Sequence, residues 1–395
     1  MSEKIIVTDG QWRKSLSAIR GVGQEGFEVY VLGESIFTTG FWSKYTKKYF
    51  KVTEAKSDVK QFGKSIYRIL SKQFPCDKII ILPMEVETLL WFVKNQESLR
   101  DKIYISAPKE ENIMLAENKY RTMMFAKKLG INIPETVLCE NYEQLIEALG
   151  KFKGKEFVVK PVTSNGARGV IYPEDISRIN LKEYFNDYGP VIIQDRIPMQ
   201  GKGIGVEVLM NKKGKCVAFF SHERLHQYPN TGGSSTKAKS IYRKDIIQQS
   251  IKMLEELEWE GVAMVEWKDD PRDGIPKLIE INPRFWGSLE LSVRCGVNFP
   301  ALYARQARGE ELEECSIDKP MYELGKACRW LLPGDILRYI TADKGKRESL
   351  KEFFTGLPGE AEEWNKKDLK GFIAAIICPI LLAINPKYWK YIKKK

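Results

Sequence analysis

Histidine is scarce in this chain, with only His222 and His226. The seven cysteines, at 76, 139, 216, 295, 315, 328 and 378, nowhere form C-x-x-C. Two histidines without a third ligand do not make a zinc site, and an odd number of dispersed cysteines is not a disulfide framework, so reduced thiols in a cytoplasmic protein are expected. The opening MSEKIIVTDG has acid and lysine where a secretion signal needs a long apolar core, so secretion is not expected. No Ser-His-Asp or Cys-His constellation marks a covalent mechanism. Long apolar runs are also missing. The stretch from Phe372 to Ile384 has 13 apolar residues interrupted by Pro379, against the ~20 that a spanning helix needs.

What the chain has in quantity is lysine, but unevenly placed. Eight lysines and one acid, Asp368, lie between Lys366 and Lys395, so +7 of the net +11 sits in that segment. The body is close to neutral and shows no basic groove interleaved with aromatics, so no nucleic-acid partner is expected. A hydrophobic content of 43% in 395 residues is that of a globular protein with two or three domains.

The first hundred residues alternate strand and helix. KIIVTDG, SLSAIRGVGQEG and FEVYVLG read as β-α-β, and Val59 to Phe74, KIIILP and Glu85 to Asn95 continue it, which predicts a parallel sheet. Gly21, Gly23 and Gly26 have G-x-G-x-x-G spacing but fall at the end of the helix, where a dinucleotide fingerprint cannot work, so Gly26 is a helix stop. Asp9, Gly10 and Glu85 mark the strand ends where a ligand sits in such a sheet, or they cap helices. From Asn118 an amphipathic helix is followed by the apolar strand of EFVVKPV and a polar loop, Ser164 to Gly169, whose backbone N–H groups suit phosphates.

The most chemical stretch is LIEINPRFWGS, Leu278 to Ser288. Alternation puts Glu280 and Asn282 on one face of a short strand, and GVAMVEWK before the turn DDPRDG adds Glu266. Three oxygen ligands of this kind suit Mg²⁺ shared with phosphates, and Arg284 stands beside them as an anion clamp. On CVAFFSHERLHQYP the same alternation brings His222, Arg224 and His226 to one face that could receive an acidic substrate.

In this order, a helix lysine, a strand lysine with a glycine loop, a hinge, an acid on a strand and then E-I-N-P-R, the chain resembles the ATP-grasp superfamily of carboxylate-activating ligases. That superfamily includes biotin carboxylase, the carbamoyl-phosphate synthetase large subunit and D-alanine-D-alanine ligase. The resemblance implies a mixed α/β (α+β) ATP-grasp fold with a Rossmann-like domain at 1–112, a lid at 113–195, a C-terminal subdomain at 196–330 and an extension at 331–395. It further implies that Lys119, Lys160, Ser164, Gly166 and Gly169 meet ATP phosphates and that Gln194, Arg196 and Ile197 form the adenine hinge, the last two through backbone groups. Glu266, Glu280 and Asn282 would hold Mg²⁺ or Mn²⁺, with Lys160 and Arg284 catalytic and Arg224, Ser234 and Ser235 on the substrate side. The pattern departs at Gln194, where relatives often carry an acid, and at the ribose acid, replaced by Gly203 or displaced to Glu207.

The expected function is ATP- and Mg²⁺-dependent ligation of a small carboxylate to an amine or similar nucleophile. The rivals are a kinase on the same fold and a nucleotide-binding module docked at a membrane. The tail, 371–395, joins its apolar run to Tyr388, Trp389 and Tyr391 among lysines, which predicts either peripheral membrane contact or a last core helix.

Overall fold

The computed structural model describes residues 3–164, 168–229, 232–342 and 348–384. Gly166, predicted in the phosphate loop, and the aromatic and basic residues of 385–395 lie outside these described residues.

Five short strands, β1 (Lys4–Val7), β2 (Glu28–Gly33), β3 (Thr46–Lys51), β4 (Ile79–Leu82) and β5 (Ile103–Tyr104), form a parallel sheet in the order β3-β2-β1-β4-β5. Their near-continuous apolar runs reflect cover on both faces. Ile5 and Val7 pack with Ala18, Ile19 and Val22 of the helix Arg13–Gln24, and Ile6, Ile79 and Ile81 with Phe62 and Ile66 of the helix Val59–Gln73. Gly26, at φ +87°, ends the first helix, and Gly21 and Gly23 lie inside it. A Cβ on Gly21 would stand 2.7 Å from Asn298 Oδ1, and one on Gly23 2.6 Å from the Tyr45 side chain. These two glycines serve close packing.

The stretch expected as a lid holds an antiparallel sheet of β6 (Thr136–Cys139), β7 (Phe157–Pro161) and β8 (Val191–Asp195), ordered β6-β8-β7. It has a small core of its own around Cys139, Leu145, Phe152, Val159 and Ile193.

The large sheet holds β9 (Gly203–Met210), β10 (Cys216–Tyr228), β11 (Ser234–Ser240), β12 (Gly261–Asp269), β13 (Pro276–Asn282) and β14 (Ala327–Arg329), in the order β13-β12-β9-β10-β11-β14. Its buried face shares one core with the first domain, in which Trp259, Trp267, Phe285, Trp286 and Tyr303 are the bulky members. The whole bears out the expected α/β fold.

The C-terminal segment is woven into the body. Buried ion pairs join Arg20 to Asp368 at 3.0 Å and Arg329 to Asp335 at 2.5 Å, and a half-buried one joins Arg13 to Glu362 at 3.0 Å. The last described helix, Leu369–Ile384, packs on the turn Thr39–Trp42 through Ala374, Ala375 and Cys378. Among the described residues no helix is long and apolar enough to cross a membrane. All seven cysteines are free thiols.

Candidate active site

A cavity of about 430 Å³ opens between the lid and the large sheet. Its walls include Val158 and Lys160 of β7, the stretch from Gln194 to Ile197 that leaves β8, Arg224 and His226 of β10, Glu266 and Lys268 of β12, and Ile279 of β13. Lys160 Nζ donates to Gln194 Oε1 at 2.8 Å, and Gln194 Nε2 donates to Thr136 Oγ1 at 2.9 Å, so the amide orientation is fixed from both ends. Burial lowers the Lys160 pKa to about 8, with Glu280 opposing and Lys119 and Lys268 reinforcing the shift. A neutral amide as its partner holds the ammonium without cancelling its charge, which leaves that charge available to an anion.

The hinge is partly occupied by the protein itself. Arg196 N–H donates to the Glu156 carbonyl at 3.1 Å, and Lys268 Nζ donates to the Ile197 carbonyl at 3.1 Å. The Arg196 carbonyl and the Ile197 N–H are left without partners among the described residues. They belong to one trans peptide and point opposite ways, so at most one of the two faces the cavity. Arg196 and Ile197, both expected at an adenine edge through backbone groups, both line the cavity. The Arg196 guanidinium itself lies 4.3 Å over the Tyr172 ring.

The β12–β13 hairpin puts Glu266 directly opposite Glu280. Asn282 Nδ2 lies 3.3 Å from Glu266 Oε1 and 3.4 Å from Glu280 Oε1. Like charges opposite each other on adjacent strands are destabilising. Burial raises the Glu266 pKa and Glu280 adds to it, while Arg224 works the other way from 2.9 Å. Arg224 and His222 belong to β10 and reach toward β12 across β9, where Gly205 leaves room for the His222 ring. A Cβ on Gly205 would stand 2.4 Å from His222 Cε1, and one on Gly203 3.7 Å from Arg224 Cβ. Of the two positions considered for a ribose contact, Gly203 lines the cavity, whereas Glu207 is buried 2.7 Å from His222 and does not. Two facing carboxylates and one amide oxygen are a donor set that fits a hard divalent cation, while the Arg224 guanidinium is a competing positive charge on Glu266.

Arg224 thus joins the carboxylate cluster instead of forming a pocket with Ser234 and Ser235. Its other Nη donates to the Gly233 carbonyl at 3.1 Å. Ser234 is exposed at the start of β11, whereas Ser235 is buried, with Oγ bonded to the Lys237 carbonyl and its own carbonyl accepting from Arg13 at 2.8 Å. His226 is held 3.0 Å from Asp335, which also receives Thr236 and Arg338. Burial opposes ionisation of Asp335, yet these partners hold its pKa well below the ordinary range.

Beyond the carboxylates the site runs into the first domain. Lys119 opens the helix Lys119–Lys128, and its Nζ donates to the Ser164 carbonyl at 2.5 Å, which ties the predicted phosphate loop to the body. Gly169, at φ +71°, has a structural reason to be glycine, since a Cβ there would lie 2.6 Å from the Tyr188 ring. Arg284 Nη1 donates to the Phe285 carbonyl at 2.9 Å, and its Nε lies 3.9 Å from Glu85. Lys14 Nζ lies 2.7 Å from Glu85 and donates to the same Phe285 carbonyl at 3.1 Å. Burial and the Arg284 charge lower Lys14 to about 8. Glu85 therefore pairs with cations and makes no side-chain cap on the helix it precedes. Asp9, at φ +51°, is bonded by Thr8 and Thr88, and burial raises its pKa to about 6. Glu117, raised by burial, is influenced by Arg284, Lys119 and Glu280, and so links the two groups of charges.

Four of these residues were not predicted from the sequence: Lys14, Glu117, Lys268 and Arg13. Lys268 had a signal, because it shares the face of β12 with Glu266. The others are brought in by contacts between distant segments.

A family profile described as "ATP-grasp in the biosynthetic pathway with Ter operon" matches residues 192–325. The carbamoyl phosphate synthase large chain of Thermoanaerobacter pseudethanolicus is 24% identical over 303 residues, covering 73% of this chain and 27% of that protein. The chain therefore spans about a quarter of the length of the curated relatives it matches first, at 27%. Among solved structures, the biotin carboxylase domain of Hydrogenobacter thermophilus 2-oxoglutarate carboxylase, in complex with MgADP and bicarbonate, superimposes with a TM-score of 0.66 at 16% identity, over 83% of this chain and 73% of that one. L-amino acid ligase from Bacillus licheniformis superimposes with a TM-score of 0.59 at 16% identity, over 79% and 78%.

Proposed function

We propose that this chain, an ATP-grasp superfamily protein, is an ATP- and Mg²⁺-dependent ligase that activates a small carboxylate as an acyl phosphate for attack by an amine. The observation that carries the reading is the facing pair Glu266 and Glu280 with Asn282, next to a cavity walled by Lys160. Glu266, Glu280 and Asn282 would hold Mg²⁺, which when bound supplies charge neutralisation for the phosphates and for the developing transition state.

The other roles belong to side chains. Lys160, held by Gln194, offers its ammonium to the phosphates, and Lys119 fixes the loop at Ser164 over them. Arg284, at the far end beside Lys14, Glu85 and Glu117, stands where the substrate carboxylate would approach. The carboxylate oxygen attacks the γ-phosphorus, the bond to the β-phosphate oxygen breaks and ADP leaves. The amine then attacks the acyl carbon, phosphate departs and the amine proton passes to solvent. Positioning and charge complementarity do this work, and no covalent nucleophile is required of the protein. A biotin carboxylase domain in complex with MgADP and bicarbonate and an L-amino acid ligase share the fold, which supports this class of chemistry.

The test is a panel of carboxylic acids incubated with ATP, Mg²⁺ and hydroxylamine. The correct acid gives ADP and a hydroxamate, because the activated acyl group precedes the nucleophile. A phosphorylated alcohol without hydroxamate makes the enzyme a kinase.

A further inference from the structure

The helix Leu369–Ile384 has two apolar faces and only one of them is used. Gly371, Ala374, Ala375 and Cys378 are buried where the helix packs on Thr39–Trp42. Just before it, Asp368 accepts from Arg20 Nε at 3.0 Å, from Ser43 Oγ at 2.8 Å and from the Lys44 N–H at 2.8 Å, which fixes the start of the helix on the body. On the other side Leu369, Ile373, Ile377, Ile380 and Ile384 follow at helical spacing, each 45–66% exposed. Trp42, whose indole N–H donates to the Ile36 carbonyl, is exposed on the turn that the helix packs against. A helix that is apolar all round is normally covered all round. Among the described residues no side chain covers this stripe.

We propose that the stripe rests on the surface of an anionic lipid bilayer, with the helix lying in the membrane plane. The charge pattern selects this occupant. Lys366, Lys367 and Lys370 are exposed at the start of the helix, Lys44 is exposed beside it, and the sequence from 385 to 395 adds five lysines with Tyr388, Trp389 and Tyr391. The one acid of the segment, Asp368, is turned inward onto Arg20, so its outward charges are all cationic. An apolar stripe flanked by lysines and aromatics is the arrangement of an interfacial helix, which combines shallow insertion with attraction to anionic headgroups. At ~1.5 Å per residue the helix is about 24 Å long, short of a ~30 Å hydrocarbon core, and its inner face is already committed to the protein.

The test is flotation of the full chain with vesicles of phosphatidylcholine alone and of equal parts phosphatidylcholine and phosphatidylglycerol. The chain floats with the anionic vesicles only, and raised salt weakens the binding without abolishing it. The variant I373E/I377E/I380E, which alters exposed positions, loses flotation at every salt concentration and keeps the wild-type melting temperature and its response to Mg²⁺-ATP. A second variant, K366E/K367E/K370E, loses flotation at low salt. Absence of wild-type flotation, or equal flotation of the isoleucine variant, overturns the proposal. So does a lipid-free dimer, seen in sedimentation velocity, that the isoleucine variant abolishes, because a second copy then occupies the stripe.

Discussion

Two of the buried charge groups among the described residues are built on opposite principles. In the clamp that fastens the start of the C-terminal helix to the body, Asp368 has a partner for each oxygen, from Arg20, Ser43 and the Lys44 backbone, and these partners hold its pKa down against the effect of burial. In the cleft, Glu266 and Glu280 face each other, Lys160 is bonded to a neutral amide alone among the described residues, and the pKa values of Glu266 and Lys160 shift toward their uncharged forms. A group selected for stability is paired. Under the proposed function, the cluster left in tension among like charges is the one that a bound cation would complete.

The largest effect expected from breaking this contrast is in the clamp. Asp368→Ala leaves Arg20 buried without its carboxylate and should cost ~3–5 kcal/mol in chemical unfolding. The folded fraction should still respond to nucleotide. Next is the spacing that lets β10 side chains reach across β9. Gly205→Ala places a methyl in the His222 ring, and should cost about 1–3 kcal/mol as overpacking does. A loss near zero would mean that the ring shifts freely and that the glycine is not what positions it.

A finer contrast is the response to pH. With the folded pKa of Lys160 lowered to about 8 from 10.5, the unfolded chain binds more protons between those values, so this lysine makes stability rise with pH across that window. Phosphate binding needs the ammonium, so nucleotide affinity should be flat below pH 8 and fall above it, by up to about tenfold per pH unit. Lys160→Arg should remove that limb in titration calorimetry, since a guanidinium stays charged. Asp368 behaves in the opposite sense. Its stability is present above the ordinary carboxylate pKa and is lost as pH falls through its depressed one.

Local pattern made much of this legible in the sequence. The runs IIV and IIIL announced the central strands of the parallel sheet, and alternation on either side of DDPRDG announced the hairpin that sets Glu266 opposite Glu280. Contacts between distant segments were not legible. That Arg224 turns to Glu266 depends on β9 lying between β10 and β12, which only the strand order reveals. Glu85 and Lys14 reach Arg284 and its neighbour Phe285 from about 200 and 270 residues away in sequence, and no spacing rule spans that distance. The apolar run at Phe372 could be read as core or as surface. The structure gives it one face of each kind, because its small residues and its isoleucines fall on opposite sides of one helix.

The central claim, that the tension in the cleft exists for a metal-nucleotide complex, is tested most directly by thermal unfolding of the wild type and Glu280→Gln with ATP, with and without Mg²⁺. Saturation at a hundred times the dissociation constant should stabilise the wild type by about 2.7 kcal/mol in the presence of Mg²⁺. ATP without the metal should do far less. Glu280→Gln should be at least as stable as the wild type without ligand, because the facing carboxylates no longer repel, and it should lose the Mg²⁺-dependent part of the shift. An equal response to ATP with and without Mg²⁺, or a full Mg²⁺-dependent shift in Glu280→Gln, would contradict the account.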